Sequence, residues 1–300
     1  MCCLSSVNLE QFDEWKDTPM IRDLIRFLDN VLQFFIENAG DEISKARYSA
    51  QQERSLGLGA MGWHSFLHRN RIPFESEKAQ EWNRNIFKHI KDEAVAETQQ
   101  LAIEKGECPD MEGTGRRNSH LLAIAPNANS SIIASTSPSI EPSKANAYTH
   151  RTRAGSHLVK NPYLEEELNK VDKNDAKTWT SIITNSGSVQ HLKFLSDEIK
   201  EIFKTAIEIN QLEIVQQAAD RQEYLCQGQS LNVFLASGAK RGDLHKIHYN
   251  AWKLGCKGLY YLRTESTNKA ENVSVKVVRD ALKDYETQAM TEAECIACQG

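Results

Sequence analysis

Apolar positions recur along this chain with two different periods, and the change of period marks out its elements. After Asp17-Thr18-Pro19, the residues Leu24, Leu28, Val31, Leu32 and Phe35 return every three to four positions. That spacing predicts a helix with one apolar face, begun at Pro19 and closed by Asn38-Ala39-Gly40. A second long helix is expected over 77–105, with Trp82, Ile86 and Ile90 as its inner stripe and Gly106 as its stop. A third is expected over about 196–219 and a fourth over about 243–253. Between the helices the period shortens. Residues 56–62, 121–125, 230–235 and 258–262 are short apolar runs that read as strands, and the one at 121–125 reads as fully buried. Residues 143–180 are polar and carry no clear period, so no element is expected there. After Thr264 apolar density falls; apart from 273–278, the end reads as a solvated, flexible tail. Strands that alternate with helices predict an α/β fold with parallel strands.

Composition narrows the class without naming a function. Three hundred residues, 40% apolar and 26% charged, are enough to bury a sizeable core in one large domain or two modest ones. No window of about 18 apolar residues exists, so no membrane helix is expected. The opening Met1-Cys2-Cys3-Leu4-Ser5-Ser6-Val7 lacks the basic region of a signal peptide. A net charge of -5 gives no electrostatic reason to expect nucleic acid. Seven cysteines, an odd number, point to the reducing cytosol and away from a disulfide scaffold. The chain also starts inside an apolar, β-favouring stretch, as if its first element were cut from something longer.

Five local patterns could carry chemistry. Gly57-Leu58-Gly59-Ala60-Met61-Gly62 matches a dinucleotide-binding pattern, but Gln51-Gln52-Glu53-Arg54-Ser55 before it is no buried strand, so tight packing is the better reading. The pairs His64/His68 and His245/His248 lack the acidic companions of a metal site and read as helix-surface histidines. Pro126-Asn127-Ala128-Asn129-Ser130-Ser131 follows the strand at 121–125 and precedes a helix start. It is either an anion cradle of exposed N–H groups and hydroxyls or a simple cap by Asn129 or Ser130. Tyr260-Tyr261 reads as aromatic packing, because neighbours in a strand point to opposite faces. Cys295 and Cys298, three positions apart near the chain's end, can close into a disulfide or exchange with another; two thiols alone are too few ligands for structural zinc.

Taken in order, these patterns resemble a known family. Cys2-Cys3-Leu4-Ser5-Ser6-Val7-Asn8-Leu9, Arg117-Asn118-Ser119, Pro126 to Ser131, Ile140-Glu141-Pro142, Leu259-Tyr260-Tyr261 and the final Cys-x-x-Cys look like the C-terminal part of the large subunit of class I ribonucleotide reductase. The resemblance implies the second five-stranded half of a ten-stranded α/β barrel over 1–263, and a flexible redox tail over 264–300. It implies that Cys2 is one of the two active-site thiols, with Cys3 at a variable position. Pro126, Asn127, Ala128, Asn129 and Ser130 would cradle the substrate's phosphates. Tyr260 and Tyr261 would relay a radical from the small subunit, and Cys295 and Cys298 would re-reduce the active-site disulfide before being recharged by thioredoxin or glutaredoxin.

The same resemblance says what these residues lack. The radical cysteine, the second active-site thiol and the nucleotide effector site belong to the N-terminal half of such a subunit. The expectation is therefore a split large subunit, of the kind an interrupted phage gene would produce, inactive alone and assembled with that half and with a small subunit carrying a diiron-tyrosyl radical. No metal or other cofactor is expected on this chain itself. The rival expectation is a non-catalytic relic that only binds a small subunit or other partner.

Overall fold

The computed structural model describes residues 2–152 and 155–264. From the N terminus the elements are β1 (Leu4–Asn8), α1 (Phe12–Trp15), α2 (Met20–Asn38), α3 (Ser44–Glu53), β2 (Gly57–Met61), α4 (Trp63–Arg69), α5 (Glu77–Lys105) and α6 (Ser130–Ile133). Then come β3 (Ala147–Thr152), β4 (Gly155–Lys160), α7 (Pro162–Lys170), α8 (Ala176–Thr184), α9 (Asp197–Ile202), α10 (Gln211–Gln222), β5 (Val233–Leu235), α11 (Arg241–Lys253) and β6 (Leu262–Thr264). The redox tail expected over 264–300 falls almost wholly outside the described residues, with Cys295, Cys298 and the apolar run 273–278. The described residues divide into two compact units, 2–142 with 209–264 and 143–208.

The first unit is organised by parallel strands. β1 pairs parallel with β2, from Leu4 beside Gly57 to Asn8 beside Met61. On the other side of β2 lies the extended segment 121–125, where the Leu58 N–H donates to the Leu121 carbonyl at 2.8 Å and the Ala123 N–H returns to the Leu58 carbonyl at 3.1 Å. That segment bridges in parallel to Gln229, and β5 pairs in parallel with β6. Counting 229–235 as one stretch, five extended segments follow one another in chain order, joined by parallel pairings and single parallel bridges, with helices as crossovers. This is the arrangement expected from alternating strands and helices.

The glycines of β2 exist for packing. A Cβ at Gly59 would meet the Ala123 backbone carbonyl, and one at Gly57 would strike the Leu4 side chain. Gly62 turns the chain into α4 with φ +82, in the left-handed region that glycine tolerates. The helices around the sheet form where caps and stripes coincide. Ser76 caps α5 by accepting the Ala79 N–H at 3.2 Å, and Gly106 at φ +84 stops it. On α2 the buried stripe is Ile21, Ile25, Leu28 and Leu32; Val31, expected on that face, is exposed.

Two expectations change here. The helix expected over 196–219 is broken into α9 and α10, because Thr205 turns the chain through two hydrogen bonds to Glu208 and Asn210 starts a new helix by accepting the Leu212 N–H. The stretch 143–180, expected to be irregular, holds the antiparallel hairpin β3–β4, the nine-residue helix α7 and the start of α8. Leu164, Leu168, Trp179, Ile182, Val189 and Phe203 are buried together as this unit's core. Buried Asn146 ties it by donating to the Gly187 and Phe203 carbonyls.

Candidate active site

Parallel sheets place their ligand sites at the carboxyl ends of the strands. The loop 126–131 leaves the sheet at that end. Asn127, at φ +51, is its anchor: its amide donates to Ser6 Oγ at 2.9 Å, to the Ala60 carbonyl at 3.2 Å and to the Ala125 carbonyl at 3.1 Å. One side chain therefore fixes the loop to β1 and β2. Ala128, Asn129 and Ser130 stand exposed beyond it. Asn129 precedes α6 but makes no capping hydrogen bond through its side chain, so the cap reading of this loop does not hold for Asn129. Its backing comes from the neighbouring segment, where Thr136 Oγ1 donates to the Glu10 carboxylate at 2.5 Å, and Ser65 and Ser137 exchange hydrogen bonds with each other's N–H groups.

The two cysteines of the doublet differ in burial. Cys3 is buried, and its thiol donates to the Leu28 carbonyl at 3.3 Å. Burial, then the nearby Asp29 charge, pushes its pKa up, which keeps it a protonated, inert thiol. Cys2 is exposed. The ladder continues back from β1, since the Gly57 N–H donates to the Cys3 carbonyl at 2.9 Å. In extended backbone alternate residues share a face, which puts Cys2 with Leu4 and Ser6. Ser6 in turn touches Asn127, so one face of one strand joins the exposed thiol to the loop.

Beneath that strand lies a buried ionic knot. Asp29 accepts from Arg54 Nε at 2.9 Å, Arg117 Nε at 2.9 Å and Asn118 Nδ2 at 3.0 Å. Burial pushes the carboxyl up, but the Arg54 charge and the Arg117 and Asn118 hydrogen bonds outweigh it, and it titrates below the ordinary range. The pattern Arg117-Asn118-Ser119 is thus explained in part as structural.

Tyr260 and Tyr261 lie at the opposite edge, immediately before β6. Four strand spacings of about 4.8 Å separate the first and fifth segments, on the order of 19 Å measured along the sheet. The two rings were expected on opposite faces of a strand, but they meet: the residues are 46% and 51% exposed, with ring centroids 4.1 Å apart at 51°. The hydrogen bond to Tyr261 raises the Tyr260 pKa, and the Arg263 guanidinium sits 4.7 Å from the Tyr261 ring centre.

His64 and His68 also depart from expectation. They are buried, not on the helix surface, with ring centroids 3.9 Å apart. Burial, then the neighbouring His68, drives the His64 pKa well below the ordinary value. Among the described residues no group of three or more histidine, cysteine or acidic side chains could hold a metal ion. Nor, among them, is any helix long and apolar enough to cross a membrane. Sequence reading did not single out Ser6, Glu10 or Thr136 by role. Ser6 and Glu10 lie in or beside the opening motif, and Thr136 gave no local signal.

A five-segment parallel sheet with an exposed thiol at one edge and a polar loop at its carboxyl end defines a class: part of an α/β barrel. The profile of the ribonucleotide reductase barrel domain matches residues 1–115 and 110–262. The chain belongs to that family. A protein of Frog virus 3 (isolate Goorha), named as a ribonucleoside-diphosphate reductase large subunit, is 50% identical over 303 residues, covering 100% of this chain and 52% of that protein. The corresponding large subunit of Invertebrate iridescent virus 3 is 41% identical over 305 residues, covering 100% of this chain and 47% of its own. The solved Actinobacillus ureae class Id ribonucleotide reductase alpha subunit superposes with a TM-score of 0.84 at 44% identity, over 89% of this chain and 50% of that one. The chain spans about half the length of these relatives.

Proposed function

We propose that this chain supplies the second half of the barrel of a ribonucleoside-diphosphate reductase large subunit, working with the rest of that subunit and a radical-generating small subunit. In this reading the reaction replaces the 2′-hydroxyl of a ribonucleoside diphosphate by hydrogen, for DNA synthesis. The hydroxyl leaves as water. Two thiols give two electrons and two protons and close into a disulfide. Cys2 is one of the two, and the second lies in the part of the subunit not represented here. The loop Pro126 to Ser130 holds the diphosphate through its N–H groups and hydroxyls. Tyr260 and Tyr261 pass the radical from the small subunit, of the diiron-tyrosyl kind, toward the site. Cys295 and Cys298, outside the described residues, exchange with the active-site disulfide and are recharged by thioredoxin or glutaredoxin.

The observation that carries the reading is the junction of Ser6 and Asn127, which sets the proposed phosphate loop on the strand face shared by the exposed Cys2. The test is dCDP formation by the assembled enzyme carrying Cys2→Ser or Cys3→Ser. Loss of turnover is expected for Cys2→Ser alone. The Cys3→Ser hydroxyl inherits the Leu28 carbonyl and should turn over normally. Equal activity in both variants would remove Cys2 from the reaction.

A further inference from the structure

Adjacent residues of a regular strand point to opposite faces, yet the Tyr260 and Tyr261 rings meet at 4.1 Å. The backbone explains how. Val233 pairs with Leu262, and the Val233 N–H donates to the Tyr261 carbonyl at 3.0 Å. Carried two residues back, that register would send the Tyr261 N–H to the Leu231 carbonyl. Instead the Leu231 carbonyl takes the Tyr260 N–H at 2.8 Å, and the Tyr261 N–H goes to Asn232 Oδ1 at 3.0 Å. The tyrosine strand therefore carries one extra residue against its neighbour, a bulge of the kind that re-aims side chains beside functional sites. A side-chain amide has taken the place of a ladder carbonyl.

What orients that amide is a buried carboxylate. Asn232 Nδ2 donates to Glu141 Oε1 at 2.8 Å, and both residues are buried. The amide gives its NH₂ end to that carboxyl oxygen, which leaves Oδ1 facing the Tyr261 N–H. Glu141 belongs to the Ile140-Glu141-Pro142 pattern, to which the proposed reaction gave no task.

We propose that Asn232, oriented by Glu141, is a positioning residue that builds this bulge and thereby brings the two phenols into contact. The role rests on the reading of Tyr260 and Tyr261 as a radical relay, since ring contact is what such a relay needs. Asn232 is hydrogen-bonded to the pair through the Tyr261 backbone N–H and has no part in the transfer itself.

The experiment is a ¹³Cζ-tyrosine NMR titration of the chain, with the two resonances assigned from Tyr260→Phe and Tyr261→Phe. In the unsubstituted chain Tyr260 is expected to titrate above the ordinary tyrosine value of about 10, through its hydrogen bond to Tyr261. Asn232→Leu should abolish that displacement. Asn232→Asp alone sets two carboxylates against each other and should abolish it too. The exchange Glu141→Gln with Asn232→Asp restores one donor between them and leaves an oxygen for the Tyr261 N–H, so it should restore the displacement. A folded Asn232→Leu chain in which Tyr260 titrates as before would overturn the proposal. Where Asn232→Leu does not fold, the exchange decides: a folded double variant without the displacement overturns it equally. No radical is involved in this readout. An active Tyr261→Phe enzyme would sink the relay while leaving the titration result in place.

Discussion

Removing a buried carboxylate from between two guanidinium groups leaves two uncompensated charges, and Asp29 stands in that position between Arg54 and Arg117. Asp29→Asn is expected to destabilise the fold by about 3–5 kcal/mol, the usual cost of breaking a buried ion pair, read as a lower denaturation midpoint. Because the folded carboxyl titrates below the unfolded one, its contribution is complete above the unfolded carboxylate pKa of about 3.9 and fades as pH falls through the depressed folded value. The substituted chain should therefore lose its stability deficit in strong acid. An Asp29→Asn chain as stable as its parent at pH 7 would mean that the knot contributes nothing. Residues at this scale were only partly legible in the sequence. Cys2 and Cys3 are chemically identical on paper; the motif order favours Cys2, but the burial of Cys3 against the Leu28 carbonyl of α2 could not be read from it. His64 and His68 lie at helical spacing whichever face they occupy, so their burial between apolar neighbours could not be read from the pair alone.

Among the elements, the strand β2 shows how a familiar pattern can mislead. Its glycines match a nucleotide-binding pattern, yet Gly59 is dictated by the carbonyl of Ala123 in the neighbouring segment. Gly59→Ala would force two backbones apart, and a cost of about 1–3 kcal/mol is expected, the range for overpacked interiors. Urea unfolding measures it; an unchanged midpoint would show that the strands have room to spare. The long helices were legible because their caps agree with their stripes, as Ser76 and Gly106 do for α5. The short ones were not. Leu164 and Leu168, or Trp179 and Ile182, give only one turn's repeat within helices of nine residues, too few positions to establish a period. The break between α9 and α10 was hidden for the opposite reason. Apolar residues continue through 202–215, and only Thr205, Glu208 and Asn210 interrupt the helical hydrogen bonds.

At the scale of the whole molecule, five parallel segments in chain order leave β1 and β6 each paired on one side among the described residues. Relatives about twice as long, and a solved reductase alpha subunit that superposes over half its length, give such a sheet its context. The order of motifs along the sequence carried this much: a parallel α/β sheet, its family and the polar loop at its carboxyl end. It did not carry the division into two compact units, because the core of 143–208 is built from side chains spread from Ala147 to Phe203 with no shared period. The most direct test of the account is CDP reduction by this chain combined with the remaining half of a relative's large subunit and a small subunit, with each component omitted in turn. Formation of dCDP only when all are present is the expected result. No dCDP, from a partner half and small subunit that do reduce CDP when given the relative's own second half, would contradict it.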